Sequence, residues 1–159
     1  MRLEPGANMR VGNVMTREIE GIDISASATE AAQKMKLLGV GVLPVFDNGR
    51  VAGVVTDRDL VVRVLADPGG ARWTPIVRAM TEHTVTIGPD ADMDSAIKLM
   101  SDKGVSRLMV EDSNGTLVGI LSIADIEAEG LSDWATELHR TLGAKYRERH
   151  MRHVTRYAR

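Results

Sequence analysis

The chain has no cysteine among its 159 residues, which excludes disulfides, thiolate metal sites and a cysteine nucleophile. Aromatic residues make up only 3% of it, so Val, Ile, Leu, Met and Ala must form the core, a supply suited to branched aliphatic strands. No segment approaches the roughly 18 continuous apolar residues that span a bilayer, so membrane insertion is not expected. The first ten residues, MRLEPGANMR, lack an apolar signal core, which argues against secretion. With the missing cysteines, this is in keeping with a reducing cytoplasm.

What is present is the composition of a globular protein, 43% hydrophobic and 26% charged, not of a disordered or fibrous one. The charge is unevenly placed. Residues 1–130 carry 13 Lys/Arg against 19 Asp/Glu, whereas residues 131–159 carry 7 against 3. An acidic body with a basic tail repels a nucleic-acid backbone over most of its surface, which argues against general nucleic-acid binding.

The chain repeats itself. Val14-Met15-Thr16 recurs as Ala79-Met80-Thr81, and at the same offset of 65 Met35, Gly39, Val40, Leu43, Val45 and Asp47 meet Met100, Gly104, Val105, Leu108, Val110 and Asp112. One residue then enters a turn, Asn48-Gly49 becoming Ser113-Asn114-Gly115. Beyond it, at an offset of 66, Gly53, Thr56, Asp59 and Leu60 meet Gly119, Ser122, Asp125 and Ile126. Slippage confined to a turn is the mark of duplication.

Each copy predicts the same elements. A short strand (Ile22 to Ser25; Thr84 to Ile87) leads into a helix, which in the first copy opens at the capping-box pair Ser27 and Glu30. Ala31, Met35 and Leu38 give that helix one apolar stripe, and Gly39 ends it as Gly104 ends its counterpart. Two apolar runs flanking Asp47-Asn48-Gly49 predict a hairpin, since Asn-Gly accepts the positive φ of the favoured turn. A second helix opens at Thr56 and at Ser122. The expected organisation is repeat 1 over 8–70, a linker over 71–76, repeat 2 over 77–130 and a C-terminal segment over 131–159. One unit of about 60 residues is marginal alone, so the two are expected to pack through their sheets.

The polar turn after each hairpin is the sharpest local feature: Thr56-Asp57-Arg58-Asp59 and Ser122-Ile123-Ala124-Asp125. On spacing alone it is a helix cap, a hydroxyl at the N-cap with a carboxylate at N3. Its retention in both copies, after a Gly-containing strand and at a strand-to-helix junction, points further, to a place that receives a ligand. Helix N–H groups suit a phosphate there, and a carboxylate suits ribose hydroxyls.

These segments, with Gly39-Val40-Gly41-Val42-Leu43-Pro44-Val45 and Gly53-Val54-Val55-Thr56 and their second-copy equivalents, resemble a tandem cystathionine-β-synthase (CBS) domain pair, or Bateman module, over roughly residues 10–130. The resemblance implies an α+β fold of two β-α-β-β-α repeats in one pseudo-symmetric module, with an added C-terminal helix. It further implies two clefts for AMP, ADP, ATP, S-adenosylmethionine or a related regulatory ligand, no required cofactor, and pairing into a homodimer. One cleft would use Ser122 and Asp125, backbone of Val40, Gly41, Val42 and Leu43, and Arg107 toward phosphate. The other would use Thr56 and Asp59 with backbone from Val105 and Ser106 to Leu108. Val42 stands where the second copy has Arg107, leaving Arg58 as that cleft's source of positive charge, and Met109 stands where the first copy has Pro44. The Ser122/Asp125 cleft is therefore the favoured one.

No nucleophile or base accompanies Asp57 and Asp59, so catalysis is not expected. His150 and His153, one helical turn apart, read as solvated side chains of a basic tail rather than a metal pair. In that tail Leu131, Trp134, Leu138, Leu142 and Tyr146 predict an amphipathic helix, weakened at Gly143, followed by Arg147, Arg149, Arg152, Arg156 and Arg159. It is expected to dock on the module or on a dimer mate. The function read from the sequence is a non-catalytic nucleotide sensor. The alternative is an adaptor with empty clefts whose tail recruits a partner.

Overall fold

The computed structural model describes residues 9–67, 69 and 73–157, the last nine as helical backbone. Pro68, Gly70, the first two linker residues and the side chains of His150, His153 and the arginines from Arg149 onward lie outside the described residues. The chain divides into two compact units. The first comprises residues 18–84 with 115–117; the second comprises the residues up to 17, 85–114 and those from 118 onward.

In the first unit β1 (Ile22–Asp23), β2 (Val42–Asp47) and β3 (Arg50–Thr56) form a sheet in that order. β1 runs parallel to β2, and β2 antiparallel to β3 with Leu43 opposite Val55 and Val45 opposite Gly53. The hairpin turn holds Asn48 at φ 48° and Gly49 at φ 79°, as Asn-Gly predicts. Between β1 and β2 lies α1 (Ala28–Leu38), opened by Ser27, whose hydroxyl accepts from the Glu30 N–H. The Glu30 carboxylate accepts in return from the Ser27 N–H, which holds its carboxyl below the usual range. Gly39 ends the helix at φ 67°. Ala28, Ala31 and Met35 line the buried stripe and meet Leu43, Val45 and Val55 in the core. Leu38, which the periodicity places on this stripe, is exposed. After β3, a short α2 (Asp57–Leu60) opens into a π turn over Val61–Leu65 rather than the continuous α-helix the sequence predicts. β-branched Val61, Val62 and Val64 favour the α form little. The turn also presents Arg63 to the carbonyls of Ala79 and Met80, at 2.8 and 2.7 Å.

The second unit repeats the plan with β4 (Thr86–Ile87), β5 (Arg107–Glu111) and β6 (Leu117–Ser122), α3 (Met93–Lys103) and α4 (Ile123–Ala128). Asp92 caps α3 by accepting from the Ser95 N–H, and Gly104 ends it at φ 69°. Met109 donates its N–H to Val85 at 3.0 Å. Proline at the equivalent Pro44 has no N–H to give. The sheet here accordingly gains a Thr86–Met109 pair beside the Ile87–Val110 pair that matches Ile22–Val45.

Each unit also holds the segment that precedes the other repeat. Thr16 exchanges backbone hydrogen bonds with Ile120 at 2.9 Å, and Thr81 does the same with Val54 at 2.7 and 3.0 Å. Val11 bonds to Ala91 as Ile76 bonds to Ala26, each at 2.9 Å. Val11, Val14 and Met15 are therefore core residues of the second unit, and Ile76, Ala79 and Met80 of the first. The strand glycines permit this approach. A Cβ on Gly53 would lie 2.5 Å from the Thr81 carbonyl oxygen, and one on Gly119 would lie 2.2 Å from the Met15 sulfur. A backbone oxygen cannot yield as a methionine end can. Gly53→Ala is expected to destabilise by about 3 kcal/mol and Gly119→Ala by about 1 kcal/mol, within the range for overpacking; chemical denaturation of both variants checks the order.

A final helix, α5 (Ser132–Tyr157), docks on α3 and α4. Trp134, Ala135 and Leu138 are buried in the second unit's core, with Leu142 packed at its edge. Lys145 donates to the carbonyls of Ser101 and Asp102 at 2.5 and 3.1 Å, in the last turn of α3, where positive charge is favoured. The helix runs to Tyr157, beyond the last apolar residue of the amphipathic pattern. Among the described residues no helix is long and apolar enough to cross a membrane.

Candidate functional site

The two polar turns fold alike because each is a complete capping box. Thr56 donates to Asp59 Oδ2 from its N–H at 3.0 Å and its hydroxyl at 2.7 Å, and the Asp59 N–H returns to the Thr56 hydroxyl at 3.1 Å. In the second unit Ser122 makes the same bonds to Asp125 Oδ2 at 2.7 and 2.5 Å, with the return bond at 3.3 Å. The helix-cap role is thus filled in both copies, and one oxygen of each carboxylate remains for other work.

That remaining oxygen meets different neighbours. Asp125 Oδ1 accepts from the Thr16 hydroxyl at 2.8 Å, whereas Asp59 Oδ1 lies 3.6 Å from the Arg63 guanidinium. A hydroxyl leaves the carboxylate its full charge and a spare lone pair; an arginine takes up part of that charge. Neither Thr16 nor Arg63 stood out in the sequence as a site residue, although Thr16 and Thr81 belong to its most evident repeated motif.

The structure brings Ser106, Arg107 and Ser122 together on one side of an open cavity of ≈ 630 Å³ in the second unit. Asp125 is not among the lining residues; its Oδ2 accepts from the Ser122 hydroxyl and fixes it. Val105 packs against the second unit's core. Val40, Gly41, Val42, Leu43, Thr56, Arg58 and Asp59 belong to the first unit. There Val40 is exposed, Leu43 is fully buried, and Gly41 offers its carbonyl to the Asp57 N–H at 3.0 Å. Arg58, at the exposed start of α2, bonds through its N–H to Asp57 at 2.7 Å.

The sequence marks no residue on the far side of the cavity as a site residue. That side is formed by α5, through His139, Gly143, Tyr146 and Arg147. His139 Nδ1 lies 3.7 Å from Glu127 Oε1, and both residues line the cavity. The Arg107 guanidinium makes one long contact, 3.5 Å to the Ser106 hydroxyl, and the Arg147 guanidinium makes no hydrogen bond or ion pair among the described residues. A cavity of this size with two uncompensated guanidinium groups suits an anionic small molecule.

A family model for the CBS domain matches the chain twice, over residues 11–66 and 76–129. The chain belongs to the CBS-domain family. An uncharacterised protein of Methanopyrus kandleri is 33% identical over 120 residues, which are 75% of this chain and 61% of that relative. The chain therefore spans less than two thirds of that relative's length. Among solved structures, CBSX2 in complex with AMP aligns with a TM-score of 0.67 at 25% identity, covering 79% of this chain and 98% of CBSX2. A CBS domain pair in complex with 5′-methylthioadenosine and S-adenosyl-L-methionine aligns with a TM-score of 0.67 at 26% identity, covering 76% of this chain and 98% of that one. Those two CBS structures hold adenosine ligands, and the mixed α/β architecture of this chain, with two three-stranded sheets, matches theirs.

Proposed function

We propose that the chain is a regulatory CBS module, without catalysis of its own, that binds an adenosine-containing nucleotide such as AMP, ADP or ATP. The observation that carries this reading is the cavity of the second unit, where Arg107, without an ion-pair partner among the described residues, lines open space beside the fixed hydroxyl of Ser122. Asp125, bonded to the lining hydroxyl of Ser122, takes the ribose, since among the described residues its Oδ1 accepts only from the Thr16 hydroxyl and can accept more. Arg107 takes phosphate. The Thr56/Asp59 turn, with Arg63 already beside its carboxylate, is the weaker site. The adenosine ligands of two structurally similar CBS proteins support the choice of ligand class.

Ligand acts by favouring one arrangement of the protein over another, which requires different affinity for the two. Self-association is one such readout. α1 and the π turn of the first unit expose Leu37, Val61, Val62 and Leu65, an apolar surface suited to a homodimer. Isothermal calorimetry on the purified protein tests the reading with AMP, ADP, ATP and S-adenosylmethionine in turn. Saturable binding of at least one is expected, weakened about 10- to 100-fold in Arg107→Ala, the loss of a charge-assisted phosphate contact. No heat from any of the four at millimolar concentration rejects it.

A further inference from the structure

α5 is more than a docked appendage. His139, Gly143, Tyr146 and Arg147 recur at three- and four-residue intervals, so they share one face of the helix, and that face lines the cavity. The neighbouring face carries Trp134, Ala135 and Leu138 into the core, which fixes the helix rotation.

Gly143 is the informative residue. Glycine inside a helix is unfavourable relative to alanine and is kept where backbone strain or a close approach requires it. Neither holds here. Gly143 sits in regular helix, and a Cβ built on it would meet nothing within 4 Å except Arg147 Nη1, at an ordinary 3.7 Å. Among the described residues nothing needs the missing side chain, and its absence leaves open space on the cavity face. Around it the charges are one-sided. Arg107 and Arg147 approach from β5 and α5 without ion-pair partners among the described residues, while the one acid of the lining, Glu127, lies beside His139. Lys145 is occupied by the last carbonyls of α3.

We infer that α5 forms the second half of the nucleotide site, Arg147 acting with Arg107 on a polyphosphate chain over the gap left by Gly143. The inference rests on the nucleotide reading above and adds a selectivity to it. The site takes a nucleoside di- or triphosphate in preference to S-adenosylmethionine or methylthioadenosine, which offer the two arginines no phosphate.

Calorimetry with ATP, ADP, methylthioadenosine and inorganic triphosphate, on the full chain and two variants, tests this. Arg147→Ala is expected to bind ATP about 10- to 100-fold more weakly with an unchanged melting temperature. Gly143→Leu fills the gap and improves helix propensity, so it should lose ATP binding while melting no lower than wild type. If both variants bind ATP as wild type does while Arg107→Ala does not, α5 is no part of the site and the nucleotide reading stands without it. If wild type prefers methylthioadenosine to ATP, the selectivity is overturned. Should wild type bind inorganic triphosphate through Arg147 but no adenosine compound, the two-arginine anion site survives and the nucleotide reading fails. If neither ATP nor triphosphate binds wild type, the two-arginine site is rejected, and the nucleotide reading then stands or falls on AMP and S-adenosylmethionine.

Discussion

Trp134→Ala is expected to lower the stability of the second unit by about 3–5 kcal/mol, the range for deleting a buried large aromatic, and to strip the cavity of one wall. Trp134 is 8% exposed and sits in one cluster with Met100, Ile126 and Leu138. The chain has only two tryptophans, and Trp73, at 80% exposure, carries no comparable packing. Truncation leaves a cavity that the small residues nearby, Ala96 and Ala135, cannot fill. Beyond Leu138 the helix is held by the half-buried Leu142 and by Lys145 on the α3 carbonyls. A polar contact of that kind contributes about 1–3 kcal/mol, so it cannot replace the lost burial. Urea unfolding followed by circular dichroism gives the stability, and ATP titration gives the wall. Trp73→Ala is the control, expected within about 0.5 kcal/mol of wild type as an exposed change. A loss below 1 kcal/mol in Trp134→Ala would mean that other contacts seat α5.

Much of this architecture was legible because it is local. Caps at Ser27, Thr56 and Ser122, αL glycines at 39 and 104, and the Asn48-Gly49 turn each depend on residues within four positions of one another. What the sequence hid is long-range. The offset of 65 places Val14-Met15-Thr16 at the head of its own repeat, yet Thr16 pairs with Ile120 and its hydroxyl reaches Asp125, 109 positions away. Repetition reveals that two segments are equivalent, not which unit each one completes. The π turn was hidden for a similar reason, since the carbonyls that engage Arg63 belong to Ala79 and Met80. For α5, apolar periodicity identifies the docked face, but the residues of the cavity face are of mixed type and carry no apolar signature; in the sequence Gly143 is only a weak point in a helix.

The same distinction between cap and ligand site decides how Asp125→Ala should behave. In the protein Asp125 accepts from the Ser122 N–H, the Ser122 hydroxyl and the Thr16 hydroxyl. Removing the carboxylate costs the cap about 1–2 kcal/mol and the Thr16 bond about 1 kcal/mol more. A domain of ordinary stability, about 5–15 kcal/mol, stays folded through such a loss, so a change in binding cannot be ascribed to unfolding. Two hydrogen bonds from ribose hydroxyls to a charged oxygen are together worth about 3–6 kcal/mol, which corresponds to at least a 100-fold weaker nucleotide complex. Asp125→Asn separates the two roles. Its amide keeps an acceptor for Ser122 and leaves Thr16 a partner, so stability should return toward wild type. Its charge is gone and half its acceptors with it, so binding should remain well below wild type. Denaturation and calorimetry on the pair therefore move apart if Asp125 holds a ribose; if affinity recovers with stability in Asp125→Asn, the residue is a helix cap and nothing more.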